Sequence, residues 1–214
     1  ILRRAHVYTP PGYEAGGKER YPVLYLVHGY SDNDDSWTVK GNAHYILDNL
    51  IAAGEAKPMI VVMPYGHTPA REGVQGMVNT DFGSDLHKDL IPFIDKHFRT
   101  VPGVKTRAMA GLSMGGAHTI QFGLPRPDVF GAIGVFSIGM LGDDQAAEYR
   151  KANDASLKAR AALGGPVFYA IGKEDFVMKM APAYRQILDD YKIKYTYVES
   201  GGGHTWINWR DYLE

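Results

Sequence analysis

The chain contains no cysteine. Disulfide staples, thiol nucleophiles, zinc ribbons and iron-sulfur ligation are excluded together. It also lacks an excess of charge, with 23 Lys and Arg against 24 Asp and Glu and a formal net charge of -1. Phosphate backbones and anionic lipid select strongly basic faces, so neither nucleic acid nor a membrane is an expected partner. Long apolar runs are missing as well. The longest, such as Val23–Val27 and Met59–Met63, fall far short of the roughly 20 residues a bilayer-spanning helix takes. No low-complexity stretch or repeat interrupts the chain, so a solenoid and an internal linker are excluded. The eight histidines show no metal-ligand spacing and no H-E-x-x-H. No metal site is expected.

What is present is one ordinary domain. At 214 residues with 45% hydrophobic content, a chain buries roughly 70% of the surface its unfolded form exposes and needs no staple. Short β-branched and aromatic runs alternate with helical periodicity. Strands are expected over Ala5–Tyr8, Val23–Val27, Met59–Met63, Arg107–Ala110, Gly131–Phe136, Val167–Ile171 and Tyr195–Val198. Helices are expected over Ala43–Ala53, Ser84–Phe98, Met114–Phe122, Gln145–Leu163, Pro182–Tyr191 and Trp206–Leu213. Such alternation predicts an α/β fold, a mostly parallel central sheet with helices on both faces. Ligands of these sheets sit beyond the carboxyl ends of the strands. The loops after Val27, Met63, Ala110, Phe136, Ile171 and Val198 are therefore where chemistry is expected.

One of those loops carries the strongest motif in the chain. Gly111-Leu112-Ser113-Met114-Gly115-Gly116 is G-x-S-x-G between a strand and a helix, a turn tight enough to demand glycines and to lift the serine hydroxyl above the sheet. Ser113 is the candidate nucleophile. A serine hydroxyl needs a base within hydrogen-bond reach, usually an imidazole oriented by a carboxylate. The strand ending at Ile171 runs into Gly172-Lys173-Glu174-Asp175-Phe176, which offers Asp175 as the acid with Glu174 as its rival. The last strand leads into Gly201-Gly202-Gly203-His204, a glycine turn expected to be flexible that delivers His204 as the base. The order Ser113, Asp175, His204 is that of the α/β-hydrolase fold.

Acyl transfer also requires donors for the developing oxyanion. The backbone N–H of Met114 is one candidate, and Tyr30 in His28-Gly29-Tyr30-Ser31 is the other, with Ser31 as the fallback. His28 reads as a buried hydrogen-bonding residue. The acidic run Asp32-Asn33-Asp34-Asp35 is expected either as a surface turn or as a bias against anionic substrates.

With these residues in place, the chain resembles the feruloyl esterase and acetyl-xylan esterase type of carbohydrate esterase, relatives of esterase D. The resemblance rests on Val7-Tyr8-Thr9-Pro10-Pro11-Gly12-Tyr13, Tyr21-Pro22-Val23-Leu24-Tyr25-Leu26-Val27-His28-Gly29, the serine elbow, Gly172–Phe176 and Gly202-Gly203-His204-Thr205-Trp206-Ile207-Asn208-Trp209. It spans nearly the whole chain. It implies a serine esterase of the α/β-hydrolase fold without a large lid and without a cofactor. The implied substrate is feruloyl esters of plant cell-wall arabinoxylan, or alternatively acetyl and other small acyl esters. The implied partner is an ester-substituted polysaccharide, the implied setting secretion, often as one module of a larger polysaccharide-degrading protein. Because the chain opens at Ile1, an upstream segment and the first edge strands of such domains are expected to precede it. An aromatic acyl group needs an apolar slot with a few polar groups. Phe82, Trp37 and Trp206 are the expected substrate contacts, Phe82 because Asn79-Thr80-Asp81-Phe82-Gly83 reads as a loop entering a helix.

Overall fold

Side chains on successive strand residues point to opposite faces, and that alternation builds two cores on one sheet. In the computed structural model, which describes residues 2–13, 17–68, 78 and 80–214, the strands are β1 (Ala5–Tyr8), β2 (Val23–Val27), β3 (Ile60–Pro64), β4 (Arg107–Leu112), β5 (Ala132–Phe136), β6 (Val167–Gly172) and β7 (Thr196–Ser200). Their order is β1-β3-β2-β4-β5-β6-β7. Every described pairing is parallel except β1 on β3, which is antiparallel. Tyr25, Val62, Met109, Val135 and Tyr169 belong to one core, while Leu26, Val61, Leu112, Phe136 and Ala170 belong to the other. The β2–β4 register places Val27 beside Gly111, so the two strands that feed the serine turn and the His28 loop end together.

Helices cover both faces. The second core is closed by Trp37 of α1 (Ser36–Val39), Ala43 and Leu47 of α2 (Ala43–Ala53), and Trp209 and Tyr212 of α8 (Trp206–Leu213). The first is closed by α3 (Thr80–Ser84), α4 (Ile91–His97), α5 (Met114–His118), α6 (Asp143–Leu163) and α7 (Ala181–Asp190), through residues such as Phe82, Ile94, Leu157 and Ile187.

Two expected helices are broken by wider turns. The helix expected from Ser84 begins at Thr80 and passes through a π-helical stretch, Asp85–Leu90, before α4. Pro92 has no N–H and its ring would crowd the carbonyl four residues back, which a widened turn relieves. The helix after Ser113 is α-helical only to His118 and π-helical over Thr119–Gly123. There the Thr119 hydroxyl donates back to the Gly115 carbonyl at 2.8 Å, and the Leu124 N–H closes a five-residue turn on Thr119 at 2.8 Å. Arg160 then caps the end, its buried guanidinium donating to the carbonyls of Gly123, Leu124 and Phe130. Burial lowers its pKa to about 10.

The acidic run is neither a free turn nor an open negative patch. Buried Asp34 takes Arg4 at 2.8 Å and His6 at 3.0 Å, tying β1 to the loop after β2. Asp32 takes Lys40 at 2.7 Å. Ile1 and Asn79 lie outside the described residues.

Candidate active site

Ser113 links β4 to α5 with φ +51° and ψ -115°, a conformation costly for any residue with a Cβ. Its surroundings hold it there. The Ser113 N–H donates to the Phe136 carbonyl at 2.9 Å, and its own carbonyl accepts the Ala117 N–H at 2.9 Å. A Cβ on Gly111 would come within 2.5 Å of the Gly115 carbonyl oxygen; one on Gly115 would collide with the Val27 carbonyl and lie 2.7 Å from that of His28. Only glycines allow the elbow to close this tightly. Met114 opens α5, so its N–H has no intrahelical partner.

The neighbouring loop is clamped by His28, which is buried. Its Nε2 accepts the Gly66 N–H at 2.8 Å, so the ring proton is on Nδ1, which donates to the Gly29 carbonyl at 2.7 Å. The same carbonyl also accepts the Asp32 N–H at 3.2 Å. In a trans peptide the carbonyl and the following N–H point in opposite directions. Holding the Gly29 oxygen therefore aims the Tyr30 N–H away from the imidazole. A Cβ on Gly29 would sit 3.7 Å from that of Ser113, so this loop lies directly against the serine. Burial is the main reason the His28 pKa lies below its ordinary value, and a neutral ring is what Gly66 requires.

Asp175 and His204 meet across the loops after β6 and β7. His204 Nδ1 lies 2.9 Å and 3.0 Å from the two carboxylate oxygens of Asp175. Asp175 is 4% exposed, whereas its rival Glu174 is exposed. Burial pushes the Asp175 carboxyl up. The His204 ring, the Val177 N–H at 3.0 Å and the Ser137 hydroxyl together outweigh it, and the pKa falls below the usual carboxylate value. An ionised acceptor at Nδ1 fixes the ring proton there and leaves Nε2 free to accept.

The glycine turn before His204 is pinned rather than loose. Asn208 donates to the Gly201 carbonyl at 2.6 Å and to the Ser200 hydroxyl at 3.0 Å, and Glu174 N–H donates to Gly202 at 3.1 Å. Ser137 and Trp209 complete the seat. Trp209 Nε1 donates to the Ser137 hydroxyl at 2.9 Å, and its ring stands edge-on to His204 with centroids 5.0 Å apart. Ser137 is fully buried at φ +52°, immediately after β5. Sequence reasoning did not single it out, although the loop after Phe136 is one of those expected to carry chemistry.

Of the expected substrate contacts, two lie in the interior and need correction. Trp37 is 1% exposed, with its indole N–H on the Val27 carbonyl at 3.2 Å. Phe82 is 1% exposed and stacks on His118 with centroids 4.2 Å apart. Both sit near catalytic-side loop ends, but α1 and α3 turn them onto the sheet. Trp206 is half-buried, edge-on to Trp37 and Trp209 at 5.2 Å each. On the loops after β2 and β6 the exposed aromatics among the described residues are Tyr30, 64% exposed, and Phe176, 71% exposed. Among the described residues no cluster of three or more His, Asp or Glu side chains is placed to hold a metal ion.

A serine elbow on a mostly parallel sheet, with an acid and an imidazole on later loops, defines an α/β-hydrolase. Among solved structures the chain is similar to a ferulic acid esterase, TM-score 0.83 and 25% identity, covering 99% of this chain and 89% of that one. The ferulic acid esterase of Anaeromyces mucronatus shares the fold at TM-score 0.78, over 99% of this chain and 82% of that one at 23% identity. The chain belongs to the Esterase family, whose model matches residues 3–214. It is a carboxylic ester hydrolase. An endo-1,4-beta-xylanase/feruloyl esterase of Xylanibacter ruminicola is 49% identical over 143 residues, 64% of this chain and 20% of that protein. An esterase of Mycobacterium tuberculosis is 29% identical over 210 residues, 96% of this chain and 44% of that protein. These alignments thus span less than half the length of either curated relative.

Proposed function

We propose that the chain is a serine esterase that cleaves feruloyl and related hydroxycinnamoyl esters of plant cell-wall arabinoxylan, as one module of a larger, secreted polysaccharide-degrading protein. The observation that carries the chemistry is the His204–Asp175 pair, held at 2.9 Å and 3.0 Å by a buried carboxylate. The substrate class and the modular setting rest on the likeness to the xylanase/feruloyl esterase.

In this reading His204 Nε2 takes the Ser113 hydroxyl proton as Oγ attacks the ester carbonyl. The carbonyl oxygen gains the negative charge and is held by the N–H groups of Met114 and Tyr30. The tetrahedral adduct collapses, the bond to the alcohol oxygen breaks, and imidazolium passes its proton to that oxygen. Water then enters where the alcohol left. His204 removes one proton from it as its oxygen bonds to the acyl carbon, the acyl–Oγ bond breaks, and the imidazolium returns that proton to Ser113 Oγ. Asp175 stays ionised throughout and stabilises the imidazolium.

Initial rates on methyl ferulate and 4-nitrophenyl acetate, for the native chain and Ser113→Ala, test the proposal. Turnover of both esters, reduced on the order of a millionfold in the variant, is the expected result. Hydrolysis of acetate alone would overturn the feruloyl assignment. A variant as fast as the native chain would remove Ser113 as nucleophile.

A further inference from the structure

Phe176 is a large apolar side chain that the fold leaves in water. It directly follows buried Asp175, yet it is 71% exposed and lies outside both cores. Its one described ring contact is His204, with centroids 4.5 Å apart and the planes tilted by 52°. The His204 ring is thereby enclosed by buried Trp209, edge-on at 5.0 Å, and by solvent-facing Phe176. The backbone beneath Phe176 is fixed. Asp175 N–H donates to the Gly172 carbonyl at 3.1 Å, Val177 N–H to the Asp175 carboxylate at 3.0 Å, and Met178 N–H to the Asp175 carbonyl at 2.9 Å. An exposed aromatic on a rigid loop beside the proton donor is a preorganised platform.

We propose that Phe176 is the subsite for the sugar ring bearing the ester, stacking against its C–H face on the leaving-group side of the scissile bond. This rests on the esterase reading above and extends it to the alcohol half of the substrate. The argument for the side is mechanistic. His204 delivers its proton to the departing oxygen, so the group attached to that oxygen lies next to the imidazole, and Phe176 is the exposed ring that touches it. Tyr30, the exposed aromatic of the loop after β2, belongs to the loop against the oxyanion donors. The argument for a sugar is the surroundings. Lys173, Glu174 and Thr205, all exposed, belong to the two loops that carry Asp175 and His204, and exposed Lys179 follows three residues after Phe176 in a 3-10 turn. An exposed ring whose own loop carries hydrogen-bonding side chains suits a ligand with one apolar face and a hydroxylated edge.

The test compares kcat/KM on a feruloylated arabinoxylo-oligosaccharide with kcat/KM on methyl ferulate, for the native chain, Phe176→Ala and Phe176→Tyr. The methyl ester has no ring to stack. In Phe176→Ala the ratio of the two values is expected to fall about tenfold, mainly through KM for the oligosaccharide, and Phe176→Tyr should restore it. Equal loss on both esters would assign Phe176 to packing of His204 or to the acyl group and overturn the proposal, as would an unchanged ratio. The same ratio is taken on an acetylated xylo-oligosaccharide against 4-nitrophenyl acetate. If only the acetyl pair turns over, the feruloyl reading falls while a tenfold lower ratio in Phe176→Ala still supports the sugar subsite.

Discussion

Replacing Gly115 by alanine adds a single methyl group, and the structure says where it must go. The new Cβ would collide with the Val27 carbonyl and lie 2.7 Å from the carbonyl oxygen of His28, against an ordinary contact near 3.4 Å. Both obstacles are backbone, so no side-chain rotation makes room. The start of α5 and the end of β2 must separate by more than roughly 0.7 Å, because that difference between 3.4 Å and 2.7 Å clears only the His28 oxygen and the Val27 carbonyl lies closer still. That gap opens between the two loops proposed to hold the oxyanion donors, Met114 N–H on one side and Tyr30 N–H on the other. Displacements approaching 1 Å in such sites cost about a hundredfold in rate. Overpacking itself costs about 1–3 kcal/mol. For a chain of this length that lowers the melting temperature by about 2–12 °C. The assay pairs steady-state hydrolysis of 4-nitrophenyl acetate with thermal melting. The expected result is a kcat about a hundredfold lower, with KM changed far less. A Gly115→Ala protein with native kcat and native melting temperature would refute the argument that close backbone approach builds the site.

Two further outcomes follow from the groups around His204 and His28. Ser137→Gly removes the hydroxyl that joins Trp209 to Asp175 and also relieves a φ of +52°; kcat should fall about tenfold at little-changed KM, while the melting temperature drops only a few degrees because relief and lost bond partly offset. Unaltered kcat would leave Ser137 a purely structural residue. Burial holds the pKa values of His28, and of His87 in the π-helical stretch Asp85–Leu90, below the ordinary histidine value. The unfolded chain takes up those protons near pH 6.5 while the folded chain does not, so stability is full above about pH 7 and declines as pH falls toward 5. The lowered Asp175 pKa puts its own loss below the ordinary aspartate range, outside this window. Melting curves from pH 8 to pH 5 check this, and a melting temperature that rises on acidification would contradict it.

Much of this architecture was readable because the strands announce themselves. Apolar runs of five or six residues starting at Val23, Val167 and Ala132 have lengths that identify them as strands, and the loops after them are fixed once the sheet is parallel. Asp175 and His204 were legible for that reason, each lying just beyond a strand end. Direction was not legible. Trp37 and Phe82 were placed correctly along the chain but on the wrong side of their helices, because a four- or five-residue helix has too few turns for its apolar stripe to declare a face. Neither π-helical stretch shows in the pattern, since a widened turn answers to Pro92 in one case and to the Thr119 hydroxyl in the other. Ser137 escaped notice because its role depends on Trp209, distant in sequence and brought near only by packing across the sheet. Its position after β5 was the available clue.

The seat of His204 has a consequence in time as well as in space. Ser113 stands on a central strand, whereas the imidazole hangs from the loop after β7 and is steadied by Asn208 and Trp209 of α8. A ribosome releases the elbow long before it releases that tail. On the proposed mechanism, nascent chains therefore hold Ser113 before its base, and no ester should turn over until His204 has emerged. First turnover during synthesis would act as a clock, marking the moment when the far edge of the sheet has closed.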